Sequence, residues 1–229
     1  MTPRRVGVGA LAIAALVRGV LVAGPAADPR GEVPPANLIS GAAAHGAAID
    51  PVFAHLKLDR LGCKFSEAHH VALLARPLRS TGTIYFDRDK GIARTTRTPR
   101  LEQVVVTTSS LRIRKDQHTE EIPLDKTRDL KAFALIFPTL LRGDRGEIER
   151  AFEIGLYGND RGWWALTFTP RAESLRGVVR RVVVFGHKAE LAALQVAEAS
   201  GDTTDTELSE VRSNANVSDA EIAVAFGAP

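Results

Sequence analysis

The residues that could do chemistry in this chain are a histidine pair, one cysteine, two aspartate pairs and a run of basic residues. His69 and His70 are neighbours in a stretch of two-residue period, so they point to opposite faces and cannot chelate one metal ion together. Cys63 is the only cysteine, which excludes an intrachain disulfide and a Cys-based zinc site. A nucleophilic Cys needs a base and an orienting partner, whereas Cys63 opens a strand with no His-Asn context and reads as structural. Asp87 with Asp89, and Asp125 with Asp129, are spaced as paired acids, but both pairs fall in turn or cap positions. His187 also falls in a turn and is expected to be exposed. No G-x-S-x-G, phosphate loop, dinucleotide-binding glycine pattern or H-E-x-x-H occurs. No enzyme activity, no metal and no cofactor is therefore expected. The basic run Arg88, Lys90, Arg94, Arg97 and Arg100 reads either as a solvated polar face or as a surface for acidic headgroups or an acidic partner.

The elements that must position these residues fit in 229 residues, one domain or two small ones. Hydrophobic residues make up 45% and charged residues 25%, a globular composition. The 30 basic residues outnumber the 27 acidic ones by three, and Arg4, Arg5 and Arg18 all precede the first acid, Asp28. Without residues 1–27 the chain is neutral, which excludes the one-sided basic surplus of a nucleic-acid binder. Those residues read as a signal peptide: Arg4 and Arg5, an apolar run from Val6 to Val17 too short to span a bilayer, then small residues at Gly24, Ala26 and Ala27. An exported, periplasmic protein is expected. Residues 28–46, rich in Ala, Gly and Pro, read as a flexible linker.

Ile49, Val52, Phe53 and Leu56 recur at helical spacing, with Asp50-Pro51 as N-cap and first helical residue. The period then becomes two. Strands are expected over 65–74, 78–87, 102–107 and 110–115, with an edge strand over 118–122 stopped by Pro123. Leu130, Phe133, Ala134, Phe137, Leu140 and Leu141 mark a second helix, which Pro138 should kink or end. Residues 147–151 add a turn of helix. Strands return over 152–158, 163–170, 178–186, 191–199 and 204–213. The tail 214–229 is expected to fray unless Ile222, Val224 and Phe226 dock it. Short strands joined by tight turns, with helices before and within them, make an α+β antiparallel meander.

Several pieces of this order resemble one family. Phe65-Ser66-Glu67, Leu73-Leu74 and the stretch from Pro77 to Phe86 are similar to the opening sheet of the LolA-like outer-membrane lipoprotein carriers. Leu140-Leu141-Arg142-Gly143-Asp144 resembles the helix-then-turn of divergent members. Trp164-Ala165-Leu166-Thr167-Phe168-Thr169-Pro170 resembles their W-x-L-x-L-x-P strand, followed by Val182 to Gly186 and Gly201-Asp202. The resemblance implies a carrier domain over residues 47–213, built as a curved antiparallel sheet, an incomplete barrel, covered by short lid helices. It further implies a monomeric periplasmic carrier that takes an acylated lipoprotein or lipid from an inner-membrane donor to an outer-membrane acceptor. Arg88 stands at the family's lid-latching Arg, but Asp89 replaces the Pro after it and Arg94 stands where a Trp is usual. Arg88 and Arg94 are thus expected to latch the lid or contact a partner.

An acyl carrier needs an apolar cavity. The inward-facing candidates are Phe65, Ile84, Phe86, Val104, Val106, Leu111, Ile113, Phe152, Ile154, Trp164, Leu166 and Phe168, and the lid candidates are Phe53, Leu56, Leu130, Phe133 and Phe137. The same residues equally describe a filled, dry core. A different class of function fits the scaffold too: related sigma-factor regulators are periplasmic sensors that bind a partner protein.

Overall fold

The structure is a computed structural model that describes residues 34–126 and 128–227, without the side chains of 126, 128 and 129. The leader expected over 1–27 lies outside the described residues. A short helix α1 (Asp50–His55) leads into six strands: β1 (Arg60–His70), β2 (Leu78–Asp87), β3 (Gly91–Thr98), β4 (Glu102–Val106), β5 (Ser110–Lys115) and β6 (His118–Pro123). Helices α2 (Arg128–Leu141) and α3 (Arg145–Ala151) follow. Then come β7 (Phe152–Gly158), β8 (Trp163–Pro170), a single turn α4 (Glu173–Arg176), β9 (Val179–His187), β10 (Glu190–Glu198), β11 (Thr203–Ser213) and α5 (Asp219–Phe226).

All eleven strands form one antiparallel sheet in the order β6-β5-β4-β3-β2-β1-β11-β10-β9-β8-β7. Every pairing is between chain neighbours except β1 with β11, which joins the two meanders at the centre of the sheet. The edges β6 and β7 are consecutive strands, and α2 and α3 fill the connection between them. The sheet is strongly curled. Six strand spacings would put β4 about 29 Å from β9 in a flat sheet, yet Val104 of β4 and Val182 of β9 line one cavity with α2.

α2 carries Leu130, Phe133, Ala134, Ile136, Leu140 and Leu141 into the main core against the sheet's inner face. Pro138 lies inside this helix and does not end it. It falls in the last turn, where its missing N–H removes one bond only, and its own carbonyl still accepts from the Arg142 amide at 3.1 Å. Asp50 is the first residue of α1 rather than its cap, because a 3-10 turn, Gly46–Ile49, runs straight into the helix.

The described segments before α1 and after β11 cover parts of the outer face. Residues 34–46 are pinned: Leu38 is buried with Trp163, Ala165 and Val183, and Ala44 bridges Leu156. α5 packs Ala225 on Ala93 and Val105. Its start is a capping box, Ser218 with Glu221, and Arg212 beside it holds the Glu221 carboxyl well below the usual range, at about 2. Its last carbonyls accept from Gln103 and Arg114 at 2.8 and 3.0 Å. The tail from 214 is therefore a docked, capped helix through residue 226, with Ile222 buried and Val224 exposed.

Candidate functional site

Alternation on each strand separates inner from outer side chains. β1 turns Phe65, Glu67 and His69 inward, opposite Leu208, Thr206 and Thr204 of β11. β9 and β10 add Val182, Val184, Leu194 and Val196, and β2 to β4 add Ile84, Ile92, Arg94, Val104 and Val106. α2 lays Phe133, Ala134, Ile136, Phe137, Pro138 and Leu140 over them. Between helix and sheet remains a cavity of about 130 Å³ with almost entirely apolar walls. An apolar cavity of about 150 Å³ takes up benzene, so this space accepts a ring or a few methylenes as it stands. A long acyl chain requires α2 to move.

The few polar groups of the lining are gathered on β1, β3 and β11. Glu67, whose side chain is 4% exposed, receives Arg94 Nη2 at 2.8 Å and Ser80 Oγ at 3.1 Å on one carboxylate oxygen, and Thr206 Oγ1 at 3.1 Å on the other. The Arg94 guanidinium lies 4.4 Å over the Phe65 ring. Phe65 in turn fits because its cross-strand partner is Gly82. A Cβ on Gly82 would stand 2.0 Å from the Thr95 carbonyl oxygen and 2.8 Å from the Phe65 ring. Burial pushes the nearby Glu102 carboxyl above the usual range; Arg94 and Lys115 oppose this shift and Glu67 adds to it.

Of the residues expected inside the cavity, Ile84, Val104 and Val106 line it, as do Phe133 and Phe137 of the lid. Phe65, Phe86, Leu111, Ile154, Trp164, Leu166 and Phe168 are packed in the core around it, with Ile113 half-buried against them. Phe53, Leu56 and Leu130 are core residues as well. Phe152 is fully buried and also borders a separate, more polar recess between α2 and α3, about 360 Å³ in volume. Strand alternation gives a signal for the missing members, since Glu67 is in phase with Phe65, and Thr204 and Thr206 with Leu208. Their polarity concealed it.

The basic run divides. Arg94 turns inward. Lys90 stands 6.0 Å over the Phe226 ring on the outer face. Arg97 and Arg100 are exposed. Arg88 is away from the cavity, where its side chain donates to the Asp59 carboxylate at 2.8 Å and the Leu58 carbonyl at 2.7 Å, in the link after α1. The Arg88 carbonyl accepts from Arg142 Nε at 3.1 Å, just past α2, and the Leu58 amide donates to the Leu141 carbonyl at 2.8 Å. Arg88 thereby ties the ends of both helices to the sheet.

Cys63 is buried, and burial pushes its thiol up to about 12, far from a thiolate nucleophile. His69 points inward, 3.9 Å from the Asp202 carboxylate, while His70 points outward, 3.4 Å from that of Asp205. Asp87 caps the β2–β3 turn, accepting from the amides of Asp89 and Lys90 at 3.1 and 3.2 Å. Asp125 is exposed, and the Asp129 side chain lies outside the described residues. Among the described residues no three His, Cys, Asp or Glu side chains are grouped to hold a metal ion, and no helix is long and apolar enough to cross a membrane.

The family model described as outer membrane lipoprotein carrier protein LolA-like matches residues 41–227, so it takes in α5 as well as the sheet. No curated protein matches the chain. Among solved structures, a LolA superfamily protein from Nitrosomonas europaea is similar over 77% of this chain and 97% of its own, at 9% identity and a TM-score of 0.43. The lipoprotein LppX of Mycobacterium tuberculosis is similar over 76% of this chain and 100% of its own, at 10% identity and a TM-score of 0.40. The MucA/MucB complex of Pseudomonas aeruginosa matches over 77% of this chain and 60% of the other, at 10% identity and a TM-score of 0.40.

Proposed function

The chain belongs to the outer membrane lipoprotein carrier protein LolA-like family, and from that premise we propose that it is a periplasmic carrier. It holds the acyl chains of a lipoprotein or another acylated lipid between α2 and the inner face of the sheet, and moves them towards the outer membrane. The observation that carries this reading is the apolar cavity of about 130 Å³ under a single helix whose C-terminal end is tied to the link after α1 and to the β2–β3 turn. The step is gated binding and involves no covalent chemistry. α2 swings off the sheet, the acyl chain takes its place, and an acceptor of higher affinity removes it. Each buried methylene supplies about 0.8 kcal/mol, so a twelve-carbon chain supplies up to about 9 kcal/mol. Lifting the apolar face of α2 offsets much of that, which keeps the cargo releasable. The Arg88 side chain contributes to the cost of opening by holding the link after α1, where the Leu58 amide binds the last carbonyl of α2.

The test is to express the full chain, recover the protein from the periplasm, incubate it with detergent-solubilised membranes and weigh it by native mass spectrometry. A bound acylated species, displaced by long-chain amphiphiles, is expected. An apo mass together with no uptake of a fluorescent fatty acid would overturn the reading. The Arg88→Leu variant should load cargo and hand it on poorly; unchanged transfer would remove Arg88 from the gate.

A further inference from the structure

The cavity wall contains more polarity than an alkyl chain can use. An ion pair, Glu67 with Arg94, is buried there at 2.8 Å, although paired buried charges lose solvation that apolar residues of the same size would not. Beside it lies Thr204, 3% exposed and lining the same cavity, whose Oγ1 has no hydrogen-bond partner. Nearly all buried hydroxyls are bonded, yet Thr204 Oγ1 makes no hydrogen bond even to His69, the residue opposite it on β1, whose Nε2 is likewise buried without a hydrogen-bond partner. Thr206 Oγ1 donates to Glu67, and both Glu67 carboxylate oxygens have donors.

We propose that Thr204, with the Glu67–Arg94–Thr206 cluster behind it, is a subsite for an uncharged carbonyl joined to the acyl chain, such as that of an ester. This rests on the carrier reading above. The lining determines the charge class. Among the described residues its only charged side chains are Glu67 and Arg94, and they neutralise each other. A carboxylate or phosphate head finds no surplus cation and meets the Glu67 carboxylate. A neutral carbonyl accepts the Thr204 hydroxyl proton, leaving the pair undisturbed and the chain along Val182, Val196 and α2. Hydrogen bonding is thereby completed on both sides without moving a charge out of water.

Binding of 1-monododecanoylglycerol and of dodecanoate, equal in acyl length, would be compared at pH 7.5 by displacement of a fluorescent fatty acid from the intact protein. The ester should bind about tenfold more tightly. Thr204→Val, which keeps the shape and removes only an unbonded hydroxyl, should weaken the ester about fivefold to tenfold and leave dodecanoate within about twofold. Thr204→Ser should restore the preference. Equal affinity of the two ligands for the natural protein, tighter binding of dodecanoate, or an unchanged preference in Thr204→Val would each overturn the subsite alone. Binding of neither ligand by the natural protein would overturn the carrier reading, and the subsite with it.

Discussion

Phe152, Leu166 and Phe168 on β7 and β8 are packed in the core, each no more than 1% exposed, whereas Val104, Val182 and Val196 on β4, β9 and β10 leave a gap under Ala134 of α2. Both regions come from the same alternation of apolar and polar residues on antiparallel strands. The difference is volume. Aromatic and leucine side chains reach across a curled sheet and meet. The valines of the sheet and Ala134 of α2 stop short of one another, and the gap between them stays unfilled. The open region is also the one with polar groups in its lining, so a void and an unbonded hydroxyl occur together.

Three substitutions break or sharpen this contrast. The largest effect belongs to the packed region. Phe168→Ala should cost about 3–5 kcal/mol of stability, read from the urea midpoint, because it leaves a hole in a packed region. Acyl affinity should hardly change; a loss below about 1 kcal/mol would mean that this region is not packed as described. Next, Val196→Phe fills the open region. The fluorescent fatty acid should bind at least tenfold more weakly, with stability within about 1 kcal/mol of the natural protein, since the ring enters existing space and does not overpack it. An equal loss of stability and binding would show that the cavity has no room. The smallest effect is electrostatic and lies at Glu102, within electrostatic reach of Glu67 and Arg94. Burial raises the folded-state pKa of Glu102 above 4.5, so the native state holds this proton more tightly than the unfolded chain. The stabilisation is fully present below the unfolded value and is lost as pH rises through the folded one. Glu102→Gln should flatten that slope in a pH series of urea midpoints, while Phe168→Ala should leave it unchanged.

Much of the fold is legible in the residues. Leu78–Asp87, Ser110–Lys115, Phe152–Gly158 and Trp163–Pro170 carry clean two-residue periods and form strands with those bounds. β1 starts earlier and ends sooner than its pattern predicts, because the apolar residues Leu73 and Leu74 belong to an exposed turn, Leu73 at 94%. β3 is invisible as a strand. Ile92 and Ala93 are its only apolar side chains, and its threonines and arginines read as a charged run. It pairs because β2 and β4 flank it and offer backbone partners on both sides. α5 is similarly hidden: it is only eight residues long, and its stability comes from the sheet it lies on and from Gln103 and Arg114 at its end.

The sequence by itself determined the class of the molecule: an antiparallel meander interrupted by an amphipathic helix, with an apolar face that must be covered. Periodicity is local, and it survives in any arrangement of the strands. Only the tertiary structure decided which covered residues fill space and which enclose it. That depends on the curl of eleven strands and on the seat of α2, both sums over distant contacts. The same holds for the polar groups of the lining. Glu67, Arg94 and Thr204 come from three strands, and only the pairings of β11 with β1, β1 with β2 and β2 with β3 bring them to one side of the cavity.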